Sequence, residues 1–497
     1  MHESFGSYRP EGAGAGRPGG GPGLRSQFHN CELPSSSHGC RINHDIVPVS
    51  EPLPAPPPAP EPQVSHSEKK PSRMGAAILA IAGVQLAIML AINMLNYIDR
   101  QELAAVMPIM RGSFAGMTAV GASLLGMGFM LSYTILNPVF GGLKLPRWRI
   151  IGFAVIVWSL ASMMTGWATA FAVLLLARCF VGVGEAAFSP FAPSMISDLF
   201  SESVRNRMMS LFYVATPVGS ALGFVLGGLI AGSHLGWRWA FFVVGPPGIL
   251  LGLLCFLMPD PAKCGSGSSG EAPVRATIKL ARKQQYKLFF QTKSWIFVTL
   301  GMSAMTFAVA GIGFWMPTYI TQYRHYQGSL AKANTLFGAI LVVSGIAATA
   351  LGGALADRLK KRYQGVEFLV CGVSMLIGFP FSIGMLYLPF PYAWFCAFGA
   401  CFCLFVNIGP SYTIISRVVH PELRSSAVAL SVFFLHGLGD VISPTIIGTI
   451  TDVTHSMTTA FLGVSAMILV SGICFCLGKK YLANDAESAV SRAQGVF

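Results

Sequence analysis

Twelve times between residues 76 and 478 the chain stays apolar for about 20 positions or longer. At ~1.5 Å per residue, a helix of that length crosses the ~30 Å hydrocarbon core of a bilayer. In lipid every backbone polar group must be satisfied internally, and a helix does so within its own segment. The runs lie near 76–108, 117–142, 149–169, 170–199, 207–232, 237–258, 293–322, 331–356, 367–388, 392–418, 424–453 and 457–478. Charged residues make up only 11% of the 497 positions and hydrophobic ones 53%, whereas a water-soluble domain carries roughly 25% charged residues. The expected fold class is an all-α membrane protein with twelve transmembrane helices.

One long polar stretch, 259–292, divides the spans six and six. The expected organisation is a tail over 1–72, an N-terminal six-helix bundle over 73–258, a linker over 259–292, a C-terminal six-helix bundle over 293–480 and a tail over 481–497. The first tail, with "GAGAGRPGGGPG" and "EPLPAPPPAPEP", has too few apolar residues to offset its ordering entropy and is expected to be disordered. A Pro-rich ligand for a partner is the alternative. In the linker, "RATIKLARKQQYKLFF" has the pattern of a basic amphipathic helix on a membrane surface.

Lys and Arg concentrate in alternate loops: Lys144, Arg147 and Arg149 after span two, Arg205 and Arg207 after span four, Arg358, Lys360, Lys361 and Arg362 after span eight. By the positive-inside rule, both termini and the linker are expected in the cytoplasm. The same placement accounts for the net charge of +13, and no basic run is interleaved with aromatics on a polar surface, so no nucleic acid is expected. The 11 cysteines form no C-x-x-C framework. Most sit in apolar runs and read as small hydrophobes, so no disulfide scaffold, metal or other cofactor is expected.

A few charges fall inside the apolar runs. From Met74 to Ile98 there is no charged side chain; then Asp99, Arg100 and Glu102 follow within four residues, and apolar residues resume to Pro108. A helix ending at Ile98 would strand "LAAVMPIM" in water. A helix running on to Pro108 keeps that stretch in lipid and carries Asp99 and Arg100 inside. An ionisable group there is costly, ~2.5–3.5 kcal/mol on insertion scales, which points to a partner or a cavity. In span four Arg178 sits at similar depth, and Glu185 lies two turns further on the same face. In span eleven His436 and Asp440 share a face, with Asp440 near mid-span.

These groups have plain structural readings as well. Asp99 and Arg100 would simply neutralise each other, Arg178 and Glu185 would pair with neighbouring helices, and His436 fits helix packing as well as function. Glu102 is placed near the outer mouth. Asp440, an acid without an adjacent cation, is the stronger proton-handling candidate, because desolvation favours the neutral acid. Asp198 and Asp357, at span ends, are gating or capping candidates.

The halves resemble each other weakly: "SESVRNRMMSLFYVATPVGSALGFVLGGLI" leads into span five and "HPELRSSAVALSVFFLHGLGDVISPTIIGTI" into span eleven. Internal repeats flanking a central site are a transporter architecture. "GGALADRLKKR", residues Gly352 to Arg362, resembles the loop signature of the major facilitator superfamily. "NYIDR", "RCFVGVGEA", "APSMISDLF", "RMMSLFYVATPVGSALGF" and above all "HGLGDVISP" are similar to its Spinster-type members. The resemblance implies the major facilitator fold, alternating access, a lysophospholipid or sphingoid phosphate as cargo, and proton-coupling roles for Asp99, Arg100 and Glu185. It also implies gating by Asp357 and Arg358. The first copy of the loop signature departs from the pattern: "GGLKLPRWR" has Leu145 and Pro146 where Asp-Arg is expected, which puts an N-terminal latch in doubt.

Composition adds an asymmetry. The N-terminal bundle holds Asp99, Arg100, Arg178 and Glu185, while "FAVAGIGFWMP" and "FCAFGACFCLFVNIGP" in the other bundle are uncharged and aromatic. A head group on Arg100 and Arg178, with a tail against Phe314, Trp315, Phe402 and Phe405, fits that division. The competing reading is a symporter of small organic anions such as sugar acids, which needs the arginines but no aromatic wall. No H-E-x-x-H or comparable catalytic pattern is present, so no enzyme is expected. The expected partners are the substrate, protons and membrane lipids, with the chain a monomer; which membrane holds it is not written in the sequence.

Overall fold

The computed structural model describes residues 73–141, 143, 145–259, 282–324, 326–360 and 362–494. Expectations for the Gly/Pro-rich tail and for most of the linker lie outside these residues. Twelve helical stretches are long and apolar enough to cross a membrane. The first six are Ile81–Ser113, Ala119–Gly141, Arg147–Trp167, Phe171–Leu199, Arg207–Ala231 and Arg238–Phe256. The second six are Lys293–Tyr323, Leu330–Lys360, Val366–Tyr387, Tyr392–Val418, Pro421–Thr454 and Met457–Ala489. An even number of spans leaves the start of span one and the end of span twelve on one side, called here the terminal side; the other is the far side.

Span one belongs to one helix, Arg73–Met110, that carries Pro108 inside it, so the charges after Ile98 are within a continuous helix. Spans four, ten and eleven are broken. Span four breaks between Phe171–Phe188 and Phe191–Leu199, and span ten at Asn407, between Tyr392–Val406 and Ile408–Val418. These are corresponding positions of the two halves. Span eleven passes through a π-helical turn, His436–Asp440. Interrupted helices at matched positions mark the centre of many transporters. The described end of the linker forms a helix, Arg282–Gln291, whose Phe289 is buried on Trp295 of span seven. The last helix continues without a break to Gln494.

Small residues let backbones approach within each bundle. A Cβ at Gly182 of span four would collide with the Phe129 carbonyl oxygen of span two. A Cβ at Gly352 of span eight would collide with the Val406 carbonyl oxygen of span ten. Only glycine fits such crossings. The crossings join corresponding pairs of spans, two with four and eight with ten, with the glycine on opposite members of the pair.

The halves meet where span two packs on span eleven, span five on span eight, and span one on span seven. The polar contacts between them are at the far side. Asp452 of span eleven accepts from the backbone N–H groups of Ala119 and Val120, at 2.9 and 2.8 Å, capping the start of span two. Gln322 donates to the Pro108 carbonyl at 2.7 Å and Asn334 to the Ala105 carbonyl at 3.1 Å. The hydrophobic core is shared between bundles here, from Leu103, Met107 and Phe224 through Trp315 and Phe337 to Ile447. Toward the terminal side this cluster continues only through the C-terminal half, by Trp295, Phe368 and Phe475, with a small satellite around Val366, Val370 and Val406, while the N-terminal half has its own cluster around Trp148, Trp158 and Phe188. The far side is closed and the bundles part toward the terminal side.

Candidate functional site

Near the middle of span one, Asp99 and Arg100 point to different neighbours, because adjacent helical residues are ~100° apart. Asp99 is fully buried; its Oδ1 accepts from Ser162 of span three at 3.0 Å and from Arg178 of span four at 3.2 Å. Arg100 donates through Nε to Glu185 at 2.7 Å. The pairing is crosswise, so the simple neutralisation of Asp99 by Arg100 is not what forms. Sequence depth matches Arg178 to Asp99 and Arg100 and puts Glu185 two turns further along span four; the structure brings all four into one cluster.

The two arginines are not equivalent. The Arg178 side chain is 1% exposed and that of Arg100 16%. The Arg100 guanidinium lies over three rings, 5.3 Å from Tyr97, 5.2 Å from Phe129 and 4.7 Å from Tyr133; cation–π attraction of this kind contributes about 0.5–2 kcal/mol. Tyr133 also meets the His436 ring edge-on at 5.9 Å. The two hydroxyl-bearing rings beside Arg100 were not singled out from sequence; their signal is "NY" in span one and "SY" in span two.

His436 Nδ1 is 2.6 Å from Asp440 Oδ2, with side chains 24% and 19% exposed. Asp440 therefore has a basic neighbour, contrary to expectation: the i,i+4 spacing aligned them, and the π turn keeps both within reach. The expected apolar wall divides. Phe314 is partly buried against Gly126 of span two, and Phe402 and Phe405 are half-buried beside Val406. Trp315, expected on the same wall, is fully buried, with Nε1 donating to the Pro444 carbonyl at 2.9 Å. Successive residues on a helix cannot share a face, so Phe314 packs on span two while the Trp315 indole N–H turns to Pro444 of its own bundle.

At the terminal side Asp198 pairs with Arg147 at 2.7 Å, an exposed contact joining the end of span four to the start of span three. At the equivalent position of the other half Glu367 of span nine pairs with Arg417 of span ten at 2.6 Å. The polarity is reversed: the basic partner is on span three in one half and on span ten in the other. Asp357 and Arg358 are exposed and make no ion pair among the described residues. Glu102, placed at the outer mouth from sequence, is fully buried. The span continues through Met110 rather than ending at Pro108, which carries Glu102 deeper.

Several proteins similar to this chain are named as transporters. The Major Facilitator Superfamily model matches residues 89–444. Protein spinster homolog 3 of Danio rerio is 31% identical over 444 residues, covering 82% of this chain and 86% of that protein. The sphingosine-1-phosphate transporter SPNS2 of Xenopus tropicalis is 30% identical over 459 residues, covering 86% and 85%. In fold, the chain is similar to a bacterial homolog of the human lysosomal transporter Spinster in an inward-facing, unoccupied conformation. The TM-score is 0.70 at 21% identity, over 83% of this chain and 98% of that one. The chain belongs to the Major Facilitator Superfamily and within it to the Spinster type, an integral multi-pass membrane transporter and not an enzyme.

Proposed function

We propose that the chain moves an amphiphilic, lipid-like anion of the lysophospholipid or sphingoid phosphate class by alternating access, coupled to protons. The observation that carries this reading is Arg100. It is a cation near mid-membrane with solvent reach, ringed by aromatic residues, and opposite a bundle whose spans seven and ten present half-buried Phe314, Phe402 and Phe405. A phosphate loses hydration on leaving water and needs a fixed countercharge. An alkyl tail gains about 0.8 kcal/mol per buried CH₂ on an apolar wall. The relatives named as sphingosine-1-phosphate transporters support the same class.

Coupling is assigned to Asp99 and Glu185, each bound to an arginine, of which Arg100 on Glu185 is the one an anionic substrate can reach, with His436 and Asp440 across the cleft. A substrate phosphate that takes Arg100 releases Glu185 from its partner and leaves a buried acid free to hold a proton. The basic loops support a cytoplasmic terminal side, and on that reading the conformation described here opens inward. Uptake into reconstituted vesicles tests the reading: a labelled lysophospholipid should accumulate under a pH gradient, and unlabelled lysolipid should compete while a sugar acid should not. Competition by the sugar acid alone would replace the lipid with a small organic anion.

A further inference from the structure

The buried cluster has one acid too many. Asp99, Glu102 and Glu185 face two arginines, Arg100 and Arg178; Arg178 is committed to Asp99 and Arg100 to Glu185. Glu102 has no exposed surface, and neither carboxylate oxygen has a hydrogen-bond partner among the described residues. It lies one turn beyond Asp99 on the same face of span one, about 12 Å along the helix from Met110. The charged groups that act on it are Asp99 from its own helix and Arg178 from span four. Spans five, six and seven also pack on span one, but their stretches 208–231, 239–256 and 294–318 contain no acidic or basic residue. A carboxylate at this place would be an unpaired charge away from water, the arrangement that folded proteins avoid most strongly. With one proton added, three acids and two arginines are electrically neutral.

We infer that Glu102 is a proton-binding site of this transporter, holding the cluster's surplus proton in the far-side-closed conformation and exchanging it with water when the far side opens. The direction follows from position. Glu102 is nearer the far side than Asp99, and the seal above it is the inter-bundle contact at Ala105–Asn334 and Ala119–Asp452. When the bundles rock and that seal opens, the carboxyl O–H gives its proton to water. The carboxylate left behind has Arg178 as its cation, whose Nε–H has no partner in the closed state. Reclosure without a substrate charge requires the proton back. This deepens the proton-coupled reading above and rests on it for the transport consequence, while the place of the proton is testable without any substrate.

The test uses the full chain in lipid nanodiscs at neutral pH, with infrared spectroscopy of the protonated-carboxyl stretch. The wild type should show this band, Glu102→Gln should lose it, and Glu102→Asp, with a shorter side chain, should shift it. Glu185→Gln also lowers the acid count, but the cation it frees, Arg100, is not among the groups that act on Glu102, so the band should stay in place. An unchanged band in Glu102→Gln, or a band lost in Glu185→Gln instead, overturns the assignment. If Glu102→Gln does not fold, the presence or absence of a shift in Glu102→Asp decides. In proteoliposomes, the ratio of gradient-driven accumulation of a lysophospholipid to its counterflow should fall in Glu102→Gln to the gradient-free value. A wild type that moves no lysophospholipid would refute the lipid reading, and the infrared bands would still decide where the proton is.

Discussion

At the scale of single residues, the cost of leaving a charge unpaired orders the expected effects. Glu367 is 2% exposed and its partner Arg417 34%, whereas Arg147 and Asp198 are 20% and 46% exposed. Removing one member of a buried pair typically costs about 3–5 kcal/mol, and an exposed pair contributes about 0–1 kcal/mol. Arg417→Ala should therefore lower the melting temperature of the purified protein clearly, and Arg147→Ala barely; equal losses would mean that exposure does not rank these pairs. In the centre, Glu185→Gln and Asp99→Asn should reduce gradient-driven uptake more than substrate binding; full uptake in both would remove these sites from coupling. Much of this cluster was legible in the sequence, because a charged residue inside an apolar run is conspicuous. The partners were not, since depth along a helix says little about azimuth. The i, i+1 geometry already argued against an Asp99–Arg100 pair, and the unbroken apolar stretch past Pro108 argued for a deeper Glu102.

At the scale of elements, the structure differs from an idealised set of straight spans at the places where the halves must move. The breaks in spans four and ten and the π turn in span eleven flank the Arg100 site, and none could be read from hydropathy, which averages over whole turns. The far-side closure was equally hidden. Asp452 looks like an ordinary acid at a span end, yet it caps the start of span two across the bundle interface. Net hydrogen-bond contributions to a charged group run about 1.5–3 kcal/mol, so Asp452→Asn should weaken this closure. A cysteine introduced beside Asn334 should then react faster with a polar thiol reagent applied from the far side. Gly448 packs on the same cap, and a Cβ there would stand 2.8 Å from the Ala119 carbonyl oxygen. Gly448→Leu should prop the far side open more strongly than Asp452→Asn; unchanged reactivity in both would show that the apolar core alone holds the closure.

At the scale of the whole molecule, two bundles with separate cores on one side and a shared core on the other describe one end-state of a rocking motion. The twelve spans and their division were fully legible, because length and hydropathy are set by the bilayer. The conformation was not, because both end-states bury similar apolar surface. Asp357, left by the sequence as the remaining loop-signature acid, makes no ion pair among the described residues in this state, which assigns any gating role to the other state. Asp357→Asn should leave the stability of this conformation unchanged and raise thiol accessibility on the terminal side; no change would assign that closure to other contacts. The claim that joins all three scales is that an amphiphile binds with its head group on Arg100 and its tail along the opposite bundle. The direct measurement is binding of a series with one phosphate head group and increasing alkyl length to the wild type and to Arg100→Ala. Affinity should rise with chain length in both proteins, with Arg100→Ala weaker by a similar factor at every length. An affinity independent of tail length, with Arg100 still required, would contradict the account and leave a small organic anion as the cargo.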